Sequence, residues 1–240
     1  MKKRTKIIIG SIISGVFLLV ILLVNNRPAS SLSNDLERKS MLPLPLSMPL
    51  DGWKRIYIDG IGTIDIPPTL EIQSGLYSEL IKALGMESEQ GYDIIIQPRG
   101  LNEFRPEAFQ RYARIMIRTV IGDNNEFETL YFNIDDLRNS DVIEMDRISY
   151  SSIQSGLLET GSRIVSWFPL EFKIINGMSC MRISYIRQLD DNPPVVVNII
   201  AFQNVDRIHN LTLSYRQNEE DYWLNDFEIA LNSFRIVDIK

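Results

Sequence analysis

Cysteine is almost missing from this chain. Cys180 is the only one in 240 residues, which excludes an intrachain disulfide, a cysteine-based zinc site and a CxxC redox pair. Histidine is equally scarce: His209 stands alone, so the imidazole sets that usually hold zinc or iron cannot be assembled. No phosphate-cradling G-x-x-x-x-G-K-[ST] or G-x-G-x-x-G pattern occurs, and Gly60-Ile61-Gly62 reads as a hairpin turn. The acidic clusters Asp135-Asp136, Asp190-Asp191-Asn192 and Glu219-Glu220-Asp221 lack the alternating carboxylates and glycine of a calcium loop. Turn chemistry explains the second and helix capping the third. No cofactor or metal is expected. Basic charge is also short. The formal charge is -6, and Lys2, Lys3, Arg4 and Lys6 take four of the 25 basic residues, leaving 21 against 31 acidic ones. A body near -10 is a poor nucleic-acid binder, because such binding needs a basic surface that displaces counterions.

Ile7 to Val24 is present in their place, 18 residues without a charge. As a helix it is long enough to cross most of a bilayer's hydrocarbon core. The basic flank before it favours a cytoplasmic N-terminus, which puts the rest of the chain outside the cytoplasm. A secretory signal would have a shorter core followed by small residues, whereas Asn25-Asn26-Arg27-Pro28 follows here. The reading is a signal-anchor over residues 1–24, with a cleaved signal as the competing one.

Residues 25–52 form a linker. Pro43, Pro45 and Pro49 within Met41–Leu50 forbid a helix and favour an extended spacer whose leucines can dock on the domain or on a partner. Residues 53–240 then read as one α+β domain, an antiparallel sheet covered by helices. Asp59-Gly60 predicts a hairpin of Trp53–Tyr57 with Gly62–Ile66, stopped by Pro67-Pro68. A helix is expected over Leu76–Leu84 and a strand over Tyr92–Gln97. The stretch Asn102–Ile121 has apolar residues at three- and four-residue steps (Phe104, Ala108, Phe109, Tyr112, Ile115, Met116, Val120) and predicts a long amphipathic helix. A weaker helix is predicted within Ser140–Leu158. Ser162–Asn176, Met178–Leu189, Val195–Asn204 and Arg207–Gln217 predict an antiparallel meander, because connections this short cannot make a crossover. Asn218 reads as the N-cap of a closing helix with Trp223, Phe227, Ala230, Leu231 and Phe234 on one stripe. Arg235–Ile239 can add a last strand.

The hairpin ending in Ile64-Asp65-Ile66-Pro67-Pro68, the YDIIIQ strand, the predicted long helix, the meander and a closing helix running into Leu231-Asn232-Ser233-Phe234-Arg235 come in an order that resembles the PsbP-like fold family. That family includes exported bacterial DcrB-type proteins and the extrinsic PsbP subunits of photosystem II. The resemblance covers about Trp53 to Val237 and implies a non-catalytic binding or assembly role. It carries no functional residue across, and the chain departs from it by its N-terminal anchor and the extra Phe127–Gly161 segment.

On the predicted long helix, Arg111, Arg114 and Arg118 fall on one ridge, with Arg99 and Arg105 nearby. This ridge is the candidate binding site, facing anionic headgroups or an acidic partner. Cys180 and His209, with Asp206, name a thiol and base, but both sit inside predicted strands and read as structural. Glu126, Glu128, Glu159 and Glu171 supply the carboxylates of the alternative reading, an exported hydrolase; a module gripping a small ligand between helix and sheet is a third. The Asn210-Leu211-Thr212 acceptor lies in a predicted strand and is set aside. The leading expectation is a single-pass bacterial membrane protein whose extracytoplasmic domain binds another envelope protein, with no catalytic role.

Overall fold

The computed structural model describes residues 48–83, 93–122, 139–204 and 206–236. The apolar run at 7–24 and most of the linker lie outside them. Among the described residues no helix is long and apolar enough to cross a membrane.

Among the described residues ten strands form two antiparallel sheets. In the first, β1 (Lys54–Ile58), β2 (Gly62–Ile66) and β10 (Arg235–Ile236) stand in the order β1-β2-β10. In the second, β3 (Leu70–Ile72), β4 (Ile94–Pro98), β5 (Ala113–Ile121), β6 (Ser162–Ile175), β7 (Met178–Leu189), β8 (Val195–Asn204) and β9 (Arg207–Arg216) stand in the order β3-β4-β5-β9-β8-β7-β6. The helices are α1 (Gly75–Ala83), α2 (Pro106–Phe109), α3 (Asn139–Glu159) and α4 (Glu220–Ser233). The expected hairpin, meander, α1, α3, α4 and short last strand are all present, and the fold class is α+β.

Local chemistry explains the turns. Asn176 and Gly177 both take positive φ, 55° and 78°, between the paired Ile175 and Met178, the two-residue turn that Asn-Gly favours. Gly62 allows β10 to close in: a Cβ there would lie 1.8 Å from the carbonyl oxygen of Arg235. The strand β6 is an open edge of 14 residues, blunted by two register shifts, with Pro169 inside the second.

The large sheet has two faces. On one, Ile115, Ile117, Leu211, Leu213, Ile200 and Phe202 meet α4 and the small sheet, whose Ile56, Ile64 and Ile66 complete the main core. The α4 stripe of Trp223, Phe227, Ala230 and Leu231 is fully buried there, each large side chain contributing about 1.5–3 kcal/mol. On the other face, α3 sets Met145 over Leu170, Met181, Ile183, Tyr185 and Val197. Across the small sheet, Arg55 and Asp65 form a bidentate pair at 2.7 and 2.8 Å.

Two expectations are corrected. The long helix over Asn102–Ile121 does not form. Its first part is a loop and the single turn α2, and its second part is β5, paired along its whole length with β9 from Ala113↔Tyr215 to Ile121↔Arg207. The run Ile115, Ile117, Thr119, Val120, Ile121 is mostly β-branched, and buried Ala113, Ile115 and Ile117 alternate. Pairing in the sheet overrides the three-and-four spacing. Asn218 is also no N-cap: a 3₁₀ turn, Gln217–Glu219, leads into α4, and Glu219 stands at the boundary without a side-chain cap.

Candidate functional site

With the helix gone, the arginine ridge disperses. Arg111 precedes β5 and lays its guanidinium 3.8 Å from the ring centroid of Tyr222 on α4. Arg114 and Arg118 share the opposite face of β5, two pleats apart. Arg114 is buried, donates to its neighbour's carbonyl Ala113 O at 2.9 Å, and lies 5.4 Å from the Tyr112 ring. Arg118 is half-buried. Two residues from other strands close in near Arg114 instead. Arg187 donates to the Tyr112 hydroxyl at 3.4 Å, and Arg216 donates to Gln110 O and to Glu219 Oε1 at 3.3 Å. Glu219 in turn accepts from Trp223 Nε1 at 2.9 Å and from the Tyr112 amide at 3.3 Å. This network latches α4 to the start of β5.

The remaining chemistry is dispersed. Cys180 on β7 and His209 on β9 both pair with Phe202 of the intervening β8, which separates them by two strand spacings, about 10 Å. Burial pushes the Cys180 thiol up to about 12, away from the thiolate a nucleophile requires. Asp206, the third member of that set, chelates Arg207 at 2.7 and 3.0 Å. Of the hydrolase carboxylates, Glu171 pairs with Lys173 at 2.8 Å, Glu159 ends α3, and Glu126 and Glu128 lie outside the described residues, as do Asp135 and Asp136. No group of three metal-ligating side chains occurs among the described residues.

A different surface is assembled with more care, at the β3 edge of the large sheet. The loop from Arg99 to Arg105 is bound on every side to the chain around β3. Asn102 is its centre. Its Oδ1 accepts from the Ser74 amide at 2.9 Å and from Gln97 Nε2 at 3.0 Å, its Nδ2 donates to Ile72 O at 2.8 Å, and its own amide donates to Glu71 Oε1 at 3.0 Å. Arg99 bonds to Pro68 O and Leu70 O through its side chain and to Thr69 O through its amide. Gly100 takes φ 99°, and a Cβ there would press on the Arg105 side chain at 2.9 Å.

This brace holds Phe104 at φ 55°, a conformation that costs an ordinary side chain about 1–2 kcal/mol. The ring is not buried in exchange, since Phe104 is 41% exposed and Phe109 49%. Both lie edge-on to Tyr77, at centroid distances of 5.8 and 6.2 Å. Tyr77 is itself buried with Leu101 and Ala108 in a small satellite core. Leu76 and Leu80, one turn apart on α1, are exposed beside it. A local strain accepted for a half-exposed aromatic is a feature of recognition surfaces rather than of cores. The periodicity that suggested a long helix assigned Phe104 and Phe109 to a buried stripe. The signal for the surface was Gly100, Asn102 and Pro106, three turn formers within seven residues.

No protein family and no curated protein matches the sequence. Similar solved structures include a cyanobacterial PsbP from Synechocystis, 10% identical over 80% of this chain and 96% of that one, with a TM-score of 0.48. They also include LpqN of Mycobacterium tuberculosis, a protein involved in cell envelope biogenesis, 8% identical over 78% and 91%, with a TM-score of 0.44. A protein from Pseudomonas aeruginosa described as a putative regulator is 10% identical over 76% and 96%, with a TM-score of 0.31. The resemblance named from element order thus has a PsbP among its structural neighbours.

Proposed function

We propose that the chain is a single-pass protein of a bacterial cell membrane whose α+β domain lies on the extracytoplasmic side and has a non-catalytic binding or assembly role in the envelope. The observation that carries this reading is the braced aromatic surface around Tyr77, Phe104 and Phe109. It spends a side-chain amide with three bonds, two arginine contacts and a strained backbone on keeping apolar rings in solvent. Folding gains little from that arrangement, whereas binding gains a rigid anchor that loses little entropy on contact. The uncharged run at 7–24 with its basic flank supports the anchor and the topology.

Proximity labelling of the full-length protein in bacterial cells tests the role. Phe104→Asp removes the exposed ring without touching the main core, and labelling of specific envelope components is expected to drop in the variant. An identical labelled set in both proteins overturns the binding role of this surface. The topology is checked separately by protease added to spheroplasts: a domain protected until lysis refutes it.

A further inference from the structure

We infer that the Tyr77–Phe104–Phe109 surface seats the domain on the lipid bilayer that the N-terminal run crosses, with Leu76, Leu80, Phe104 and Phe109 reaching into the boundary between headgroups and acyl chains. The inference rests on the anchored topology proposed above and adds what the surface touches.

The path of the chain carries it. Lys54, where the linker joins the fold, pairs with Ile66, and such antiparallel partners lie about 5 Å apart. Pro68 follows two residues later, at most roughly 7 Å along the chain, and its carbonyl accepts from Arg99 at the base of the braced loop. Linker and aromatic surface therefore meet at one end of the domain. The last residues before the fold continue the same character, since Met48 and Leu50 are exposed apolar side chains. A tether that arrives beside this surface holds it toward the membrane, and tethering raises its local concentration at the bilayer.

Charge does not drive this contact, which has to rest on apolar partition. The body beyond the anchor is acidic, Arg105 is neutralised by Glu103, and Arg99 is committed to backbone carbonyls. Long-range attraction to anionic lipid is therefore not the driving force. Partition of exposed rings and leucines at the interface is, and aromatic side chains favour that depth.

The test uses the full-length chain in vesicles of phosphatidylethanolamine and phosphatidylglycerol carrying doxyl-labelled lipid. Bimane is attached at Leu76→Cys, or at Ile143→Cys on α3. Ile143 is exposed on a helix that packs on β6, across six strand spacings from β3, about 29 Å. Native Cys180 is buried and stays protonated, so it does not compete for the label. Expected is quenching several-fold stronger at position 76 than at 143, lost when Phe104→Asp is added. Equal quenching at the two positions, or none at 76, overturns the inference. No quenching together with Phe104-dependent labelling of an envelope protein in cells means that the surface binds protein, and the proposed role survives without the lipid contact. No quenching and no Phe104-dependent labelling removes both.

Discussion

Two aromatic clusters of similar make-up sit at different depths in this molecule. Trp223, Phe227 and Tyr215 pack at centroid distances of 5.5 and 6.0 Å under α4, and Phe202 meets Phe234 at 5.2 Å. Tyr77, Phe104 and Phe109 pack at 5.8 and 6.2 Å on the β3 edge. The ring geometry is alike, but the surroundings are not. The first cluster lies between two sheets and is sealed by Ile64, Ile200 and Leu213. The second rests on Leu101, Ala108 and the half-buried Ile81 and leaves two of its rings half in water. Buried rings stabilise in proportion to the area they remove from water. Half-exposed rings on a hydrogen-bonded brace contribute little to folding and remain available to a second surface.

Paired truncations break or sharpen that contrast, and they should give the largest effect. Phe227→Ala opens a cavity against Tyr215 and Trp223 and is expected to cost about 3–5 kcal/mol. Phe109→Ala at the exposed cluster should cost less than about 1 kcal/mol. Urea denaturation of both variants decides it, and similar losses would erase the distinction between core and surface.

A somewhat smaller effect is expected from pH, and only in the main core. His209 is fully buried on the face shared with Phe202; its Nδ1 lies 3.0 Å from Thr119 Oγ1, and its Nε2 has no partner. Burial, helped by the nearby Arg207 and opposed by Asp93 and Asp206, pushes the imidazole from 6.5 down to about 4. The unfolded chain therefore takes up a proton near pH 6.5 while the folded chain stays neutral until about pH 4. Stability is fully present above pH 7 and falls as pH drops through that window, by on the order of 3 kcal/mol. In His209→Leu this component of the slope should vanish. A variant whose stability falls as steeply as the wild type between pH 6.5 and 4 removes His209 as the cause.

Asn102→Ala tests the brace and should come next in size. It deletes three side-chain hydrogen bonds and leaves the Ser74 amide and Ile72 carbonyl to water, a loss of about 1–3 kcal/mol confined to the satellite. Hydrogen exchange at Ser74 should accelerate strongly while amides of β8 and β9 keep their protection. Acceleration spread evenly over the sheet means that the loop is part of the main core after all.

What the sequence showed and what it hid follow the same division. The meander was legible because its runs are β-branched and its turns are marked, with Asn176-Gly177 taking the two positive φ angles that such a pair favours. The stripe of α4 was legible because Trp223, Phe227, Ala230 and Leu231 need no other element to reveal their spacing. The strand β5 was not, because Ile115 belongs at once to a helical stripe with Met116 and Tyr112 and to the alternating set Ala113, Ile115 and Ile117. Only its distant partner β9 decides between them. The misread element also changed the geometry of the arginine ridge: on the strand Arg114 and Arg118 keep one face, while Arg111 falls before it. The aromatic surface was hidden for a related reason: it depends on Asn102 meeting Glu71, Ile72 and Ser74, residues about 30 positions away.

The smallest effect is also the most discriminating. Phe104 is held at φ 55°, where glycine sits without penalty. Phe104→Gly removes the left-handed strain of about 1–2 kcal/mol and gives up an edge contact with Tyr77 worth about 0.5–1.5 kcal/mol. The two nearly cancel, and the greater freedom of glycine in the unfolded chain offsets any remaining gain. Net stability should therefore move by less than about 1 kcal/mol in either direction, while lipid quenching at Leu76→Cys drops. A residue kept for packing behaves otherwise, losing stability when truncated and leaving surface contacts intact. A clear loss of stability with undiminished quenching would return Phe104 to the core and reduce the contrast between the two clusters to one of degree.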